Sequence, residues 1–396
     1  MRGRDVLTLL SGLAALLVCA SCDAGKSVVP TGSGRVVVHS VLSTAVGEEV
    51  ILVERSLTGR VSFDTSLAFD PDDPIVSSGG VPVSGADVTI ASDNCPPAPA
   101  VEDLTIRGDG RGAGVYRYRN TPLNTPPPPP FQCVRAQIVR GLRYYLRVVD
   151  PTGIVVTGAT TVPDALTSGT LIRTHSLDPE RETLTFDLDT ARLHSRYFIQ
   201  IETPYGPFFL FTDRPHVNIP GTIRNHLVRG HPPVFVPGFR QSVQASAVDT
   251  NFFDYYRSRY DPLSTTGPIS HLVGGTGLFG SVLRLSALFV EVVSAVDQPI
   301  EGAYTSSPSF FGQPPERIRL YVFSQDSGVT HLSGSIDSNA GRAGILGTLQ
   351  GDHVRLAVVG ANHAVDTLLV FDGSFDGTAI TGTVQGRTGE YVLRKN

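Results

Sequence analysis

The sequence has no tryptophan, one methionine, four cysteines, and lysine only at Lys26 and Lys395. Without tryptophan, any ring platform for sugars or bases falls to tyrosine and phenylalanine. With a net charge of −5 the chain is mildly acidic and offers nothing that attracts a nucleic-acid backbone; nearly all of its positive charge is arginine, which reads as base-composition bias. No apolar run reaches the roughly 18 residues of a membrane helix. The Gly-x-Ser-x-Gly nucleophile elbow and the His-Glu-x-x-His zinc helix are also missing. The histidines are scattered, and the nearest pair, His226 and His231, has neither helical spacing nor a glutamate between its members. No catalytic residue, metal ligand or cofactor motif is therefore assigned, and the chain is expected to be non-enzymatic.

The N-terminus carries the strongest local pattern. Arg2 and Arg4 precede an apolar stretch from Val6 to Val18, interrupted only by Thr8, Ser11 and Gly12. This is the layout of a secretory signal, too short to span a bilayer. Downstream, Cys19-Ala20-Ser21-Cys22 places small residues directly before Cys22, as lipoprotein processing requires. Residues 1–21 read as a signal peptide, and Cys22 as the acylated first residue of the mature chain. A leucine is usual where Cys19 stands, so the alternative is an ordinary cleaved signal. Acyl chains contribute about 0.8 kcal/mol per buried methylene, so several together hold a protein stably on a membrane. Residues 22–34, ending in a Ser/Thr/Gly/Pro-rich stretch from Ser27, form a tether. Because residues 1–21 include Arg2, Arg4 and Asp5, the mature chain is one charge more acidic than the whole.

Beyond Cys22 only Cys95 and Cys133 remain, an even pair in an exported chain. Export implies an oxidising compartment, which predicts a disulfide between them; two reduced, buried thiols are the alternative.

From Arg35 onward the chain is written in short β-branched runs separated by Gly, Pro and Asp. Glu49–Glu54, Val83–Ile90, Val115–Tyr118 and Arg143–Val149 are predicted strands. In the last, Tyr144, Leu146 and Val148 alternate with Arg143, Tyr145 and Arg147, the period of a half-buried strand. Pro126–Pro130 is excluded from any sheet and is expected to form an extended loop. Residues 35–163 are thus expected to form an immunoglobulin-like β-sandwich.

Residues 164–293 are expected to form a second β-sandwich, with strands at Thr183–Leu188, Tyr197–Glu202, Phe208–Phe211, Ser242–Val248 and Ser281–Val293. It should carry one short helix, with Asp249 as its cap, Asp254 in its early turns, and Pro262 as its stop. Phe252, Tyr255, Tyr256 and Tyr260 recur at helical intervals, a pattern that more often marks a packed face than a ligand groove.

Residues 294–396 repeat themselves. Gly334-Ser335-Ile336-Asp337 returns as Gly373-Ser374-Phe375-Asp376, and Gly347-Thr348-Leu349-Gln350-Gly351 as Gly382-Thr383-Val384-Gln385-Gly386. Two copies are too few for a solenoid and fit consecutive hairpins with glycines at their turns. The fold class is therefore all-β: tandem sandwiches followed by a small β-meander or barrel.

Two motifs invite chemistry. Gly275-Thr276-Gly277-Leu278-Phe279-Gly280 matches the dinucleotide pattern G-x-G-x-x-G, but the run after Gly280 is β-branched and aromatic rather than helical, so the motif reads as a glycine-shaped loop before a strand. Asp70-Pro71-Asp72-Asp73 offers hard oxygen ligands for calcium, yet lacks the spacing and turn glycine of an EF-hand loop and reads as a solvated acidic loop.

Several segments in order resemble an uncharacterised family of bacterial envelope lipoproteins, domain-of-unknown-function family four-two-four-nine. They are Val36-Val37-Val38, Val83–Ile90, Gly114-Val115-Tyr116, Gly141–Leu146, Thr160–Pro163, Phe253-Asp254-Tyr255-Tyr256 and Gly274–Gly280, covering about residues 35–293. The repeated C-terminal region, the cysteine pair and the proline run lie outside that pattern. The resemblance implies tandem β-sandwiches on a lipid anchor, often encoded near TonB-dependent outer-membrane receptors, and no established activity. The leading expectation is a lipid-anchored accessory or binding partner of an outer-membrane transporter, with its ligand unassigned. A structural or adhesive envelope protein is the alternative, and a hydrolase with a dispersed site the third. Asp23 after the lipidated cysteine retains lipoproteins at the inner membrane in some bacteria; the outer membrane is the expectation here.

Overall fold

The computed structural model describes residues 34–45, 47–56, 81–105, 114–119, 137–164, 173–188, 196–226, 228, 230–259, 268–293, 298–312, 316–339, 341–360 and 367–396. The fold is nearly all-β and ends in a closed barrel.

The first module contributes β1 (Val36–Ser43), β2 (Glu48–Arg55), β3 (Val81–Pro82), β4 (Asp87–Ser92), β5 (Ala98–Pro99), β6 (Val101–Glu102), β7 (Val115–Arg119), β8 (Arg143–Val149) and β9 (Val155–Thr161). The second contributes β10 (Arg173–Leu177), β11 (Thr183–Asp187), β12 (Arg196–Ile201), β13 (Phe208–Thr212), β14 (His216–Pro220), β15 (Arg240–Val248), α1 (Thr250–Arg259) and β16 (Thr276–Val292).

One large sheet runs β13-β12-β15-β16-β1-β2-β7-β6, with β10 added beside β16 and β3 beside β2. The sheet β5-β4-β8-β9 covers its first-module half. Between them Val38, Ile51, Val88, Tyr116, Leu146 and Phe279 form a core. Tyr144 pins the edge of this sandwich: its hydroxyl donates to the Gln137 carbonyl at 3.0 Å and accepts from the Val139 amide at 2.7 Å. That is the tyrosine corner of β-sandwich domains. The expected alternation in β8 is present, with Tyr144, Leu146 and Val148 buried and Arg143, Tyr145 and Arg147 exposed.

The division at residue 163 is crossed. β16 pairs in parallel with β1 over Thr276–Val282, then in parallel with β10 over Leu288–Val292, while β15 lies along its other edge. A single strand thus completes both modules, and the boundary expected between two independent sandwiches does not separate their sheets. The glycine-rich run is corrected with it. Gly277 and Gly280 lie inside β16 rather than in a loop before it. Gly277 adopts φ +114°, and a Cβ there would sit 2.1 Å from the Val38 carbonyl oxygen. These glycines permit close strand approach.

The helix is as expected. Asp249 caps it, accepting from the Phe252 amide at 3.0 Å. Phe252, Tyr255 and Tyr256 pack with Val41, Phe198, Leu278 and Val282, so this aromatic face is core. Tyr260 and Pro262 lie outside the described residues. Asp254 sits in the helix and pairs with Arg196 at 3.3 Å and His271 at 3.1 Å.

The barrel consists of β17 (Gly302–Ser307), β18 (Arg317–Asp326), β19 (Val329–Ser338), β20 (Gly341–Gln350), β21 (His353–Val359), β22 (Thr367–Phe375), β23 (Ala379–Val384) and β24 (Tyr391–Lys395). Each strand pairs antiparallel with the next, and β24 closes on β17. Ile318, Leu332, Ile345, Leu356, Phe371 and Leu393 fill the interior. Arg317, Arg319, His353 and Arg355 alternate with buried neighbours and face out. This polarity is the inverse of a membrane-spanning barrel, whose outer face is apolar. Of the repeated glycines, Gly351 and Gly386 sit at turns with positive φ, as expected. Gly334, Gly347, Gly373 and Gly382 instead lie within strands; Gly373 faces Gly382 across the ladder, where a Cβ on either would meet backbone oxygen within 2.4 Å.

Candidate functional site, a cleft between the second module and the barrel

The barrel docks on the second module through the segment that leads into β15. Val236 and Phe239 pack against Val359, with Tyr205, Leu346 and Ala357 half-buried around them. The Arg342 guanidinium of β20 donates to the Gly238 carbonyl at 3.1 Å and lies 3.8 Å from Glu291 and 3.6 Å from Asp337. Beside this contact opens a cleft of about 560 Å³, lined by Glu202, Phe239, Arg240, Ser242, Phe289 and Arg342 among others. That volume is in the range of small-ligand sites.

Strand register sets which side chains meet there. On β15, Arg240 and Ser242 lie opposite Glu291 and Phe289 of β16, so these four share one face. Glu202 continues β12, its amide donating to the Ser242 carbonyl at 2.9 Å. Its Oε1 accepts from Gln200 Nε2, while its Oε2 is buried and has no hydrogen-bond partner among the described residues. The Arg240 guanidinium stacks 4.4 Å from the centre of the Phe289 ring. No carboxylate among the described residues lies within ion-pair distance of it. Gln241 turns to the opposite face and donates to the Val234 carbonyl at 2.7 Å inside the second core. The cleft therefore combines a buried anionic acceptor, the two cations Arg240 and Arg342, of which Arg342 is already paired with Glu291 and Asp337, and an aromatic wall, a set suited to holding a charged or strongly polar ligand.

A smaller recess of about 310 Å³ lies at the helix cap, lined by Arg143, Thr160, Pro163, Asp249 and Asn251 among others. Asp249 is its structural centre. It accepts from the Phe252 amide, the Ser281 amide at 3.0 Å and Thr160 Oγ1 at 2.7 Å, joining α1, β16 and β9. Thr160 Oγ1 also lies 2.9 Å from Ser281 Oγ, which donates to the Thr161 carbonyl. Burial pushes the Asp249 carboxyl up to about 6, against the pull of these hydrogen bonds. On the same side of the sheet, His39 of β1 is buried with its ring edge-on to Tyr255. Burial, and then the charge of Arg259, lower its pKa to about 4.

The two shifts act in opposite directions on stability. The fold binds a proton at Asp249 more tightly than the unfolded chain does, so that contribution is lost as pH rises from about 4 to 6. The unfolded chain protonates the histidine first, so the His39 contribution is lost as pH falls from 6.5 to about 4. Asp249→Asn retains the network, with its amide donating to Thr160 Oγ1 and that hydroxyl donating to Ser281 Oγ. In urea denaturation the variant is expected to match or exceed the wild type near about pH 7.5, and to lose stability more steeply toward about pH 4 because His39 is no longer offset. A parallel pH dependence in the two proteins would contradict this.

The residues singled out in the sequence lie elsewhere. Cys22, Cys133 and Asp70–Asp73 lie outside the described residues. Cys95 is in the turn after β4, where its amide meets Ser92 Oγ at 3.0 Å. His226 and His231 do come together, their ring centroids 5.1 Å apart in the loop after β14. No group of three metal-ligating side chains forms among the described residues, and no helix among them is long and apolar enough to cross a membrane. Glu202, Arg240 and Phe289 were not legible as a site, because only cross-strand register brings them together. No family model matches the chain, and no curated protein matches it.

Proposed function

We propose that the chain is a non-enzymatic lipoprotein of the cell envelope, anchored to the outer membrane through acylated Cys22 and serving as a binding accessory to a TonB-dependent transporter. The cleft carries the binding part of this reading: a buried carboxylate oxygen and an arginine, neither of which has a polar or charged partner for that group among the described residues, share one face. Leaving such an acceptor unpaired costs about 1–3 kcal/mol, a cost that a ligand donor recovers. Support for the anchor comes from the N-terminal pattern that ends at Cys22. The likeness to the envelope lipoprotein family supplies the transporter as partner. Cys95 and Cys133, an even pair in a chain read as exported, are taken as a disulfide, which fits an oxidising compartment.

Gentle crosslinking of the native envelope, with identification of the captured proteins, tests the partner. An outer-membrane barrel is expected among them. Recovery of peptidoglycan or matrix components alone would support a structural role instead.

A further inference from the structure

The charges in the cleft do not neutralise one another. Ser242 lies beside Glu202 in the β12–β15 ladder, and Arg240 is two residues further along the same face, which makes Arg240 and Glu202 diagonal neighbours. Such positions are roughly 7–8 Å apart, well within reach of each other for side chains of this length. Yet the arginine lies flat on Phe289 and the glutamate turns to Gln200. The other carboxylate available to Arg240 is its cross-strand neighbour Glu291, whose nearest cation is Arg342 of the barrel at 3.8 Å. Asp337 also faces Arg342. The result is a dipolar slot: an anionic acceptor shielded from water at one end, a cation held on a ring at the other, and Phe239 alongside.

We infer that this cleft binds a zwitterion of the amino-acid or short-peptide class, its ammonium on Glu202, its carboxylate on Arg240 and an apolar side chain against Phe239 and Phe289. The inference rests on the binding role proposed above and names its ligand class. An ammonium supplies the donor that Glu202 Oε2 lacks, and a carboxylate matches the planar fork of a guanidinium. A simple acid or a neutral sugar leaves the buried Glu202 Oε2 without a cation, and a simple amine forgoes the ion pair with the exposed Arg240, so each is expected to bind more weakly than a zwitterion. A volume of about 560 Å³ leaves room for more than one residue.

Isothermal titration of the full mature chain tests this with the dipeptides Ala-Phe and Phe-Ala, their N-acetyl and C-amide forms, and glucose as a neutral control. The free dipeptides are expected to bind, and blocking either terminus should weaken binding by about tenfold or more. Glu202→Gln should make affinity insensitive to N-acetylation, and Arg240→Gln should make it insensitive to C-amidation. If a variant fails to keep the wild-type melting temperature, the free-against-blocked comparison on the wild type decides alone. Equal binding of free and blocked peptides, or no binding of any zwitterion, overturns the inference. Crosslinked capture of an outer-membrane barrel in that event would leave the accessory role standing with a ligand of another class.

Discussion

Replacing Gly277 with valine is expected to unfold the first and second modules together. The residue sits opposite Val38 in the parallel pairing of β1 with β16, at φ +114°, where a Cβ would lie 2.1 Å from the Val38 carbonyl oxygen. The obstructing atom is backbone, so no rotamer change relieves it, and a β-branched residue does not adopt that φ without strain. The strands must separate, and β16 also holds β15 and β10. A loss of about 4 kcal/mol or more is expected, a large part of the roughly 5–15 kcal/mol that stabilises a typical domain. Urea denaturation followed by circular dichroism should show the fall in midpoint. As a control, Gly377→Ala, at a turn with open space around it, should cost only about 1 kcal/mol of backbone strain. A wild-type midpoint for Gly277→Val would mean that β1 and β16 are not paired in this register.

The second large effect is expected at Glu316, before β18. Its carboxylate is buried and accepts four hydrogen bonds: from Ser306 Oγ at 2.6 Å, Ser309 Oγ at 2.7 Å, and the Phe310 and Phe311 amides at 2.7 and 2.6 Å. These fix the segment that places Phe310 on Phe371 and Tyr391 inside the barrel. Glu316→Ala removes the shared acceptor of two amides and two hydroxyls, which is expected to cost about 3–5 kcal/mol. Glu316→Gln, which retains one acceptor oxygen, should cost less. Burial opposes ionisation of this carboxyl, but the four hydrogen bonds prevail and hold its pKa below the ordinary value. Its contribution is therefore present above the unfolded carboxylate pKa and is lost as pH falls through the lower folded value. Thermal melts of the wild type should show that acid loss, and melts of the alanine variant should lack it. If Glu316→Ala melts like the wild type, the carboxylate does not hold this segment.

Much of the fold was legible because its signals are local. Alternation in Arg143–Val149 named a half-buried strand, and Asp249 before an aromatic helical run named a cap. The glycine echoes after Ser294 named hairpins that close as a barrel. What escaped depends on pairings between distant parts of the chain. Nothing near Gly277 indicates that its partner is Val38, so a strand shared by two modules looked like a loop and a boundary. The repeated glycines suggested turns because turns are where glycine is most often needed; Gly373 and Gly382 serve close strand approach instead. The cleft was invisible for the same reason. Glu202 closes one strand, Arg240 opens another, and Phe289 belongs to a third, with no motif joining them.

Intact mass spectrometry of the non-reduced, alkylated protein taken from its native envelope tests the central claim most directly. The expected species begins at Cys22, carries the added mass of acyl chains on that residue, and shows neither Cys95 nor Cys133 alkylated. Two alkylated thiols would remove the disulfide alone. A chain that begins at another residue, or that begins at Cys22 without lipid, would contradict the lipid-anchored account.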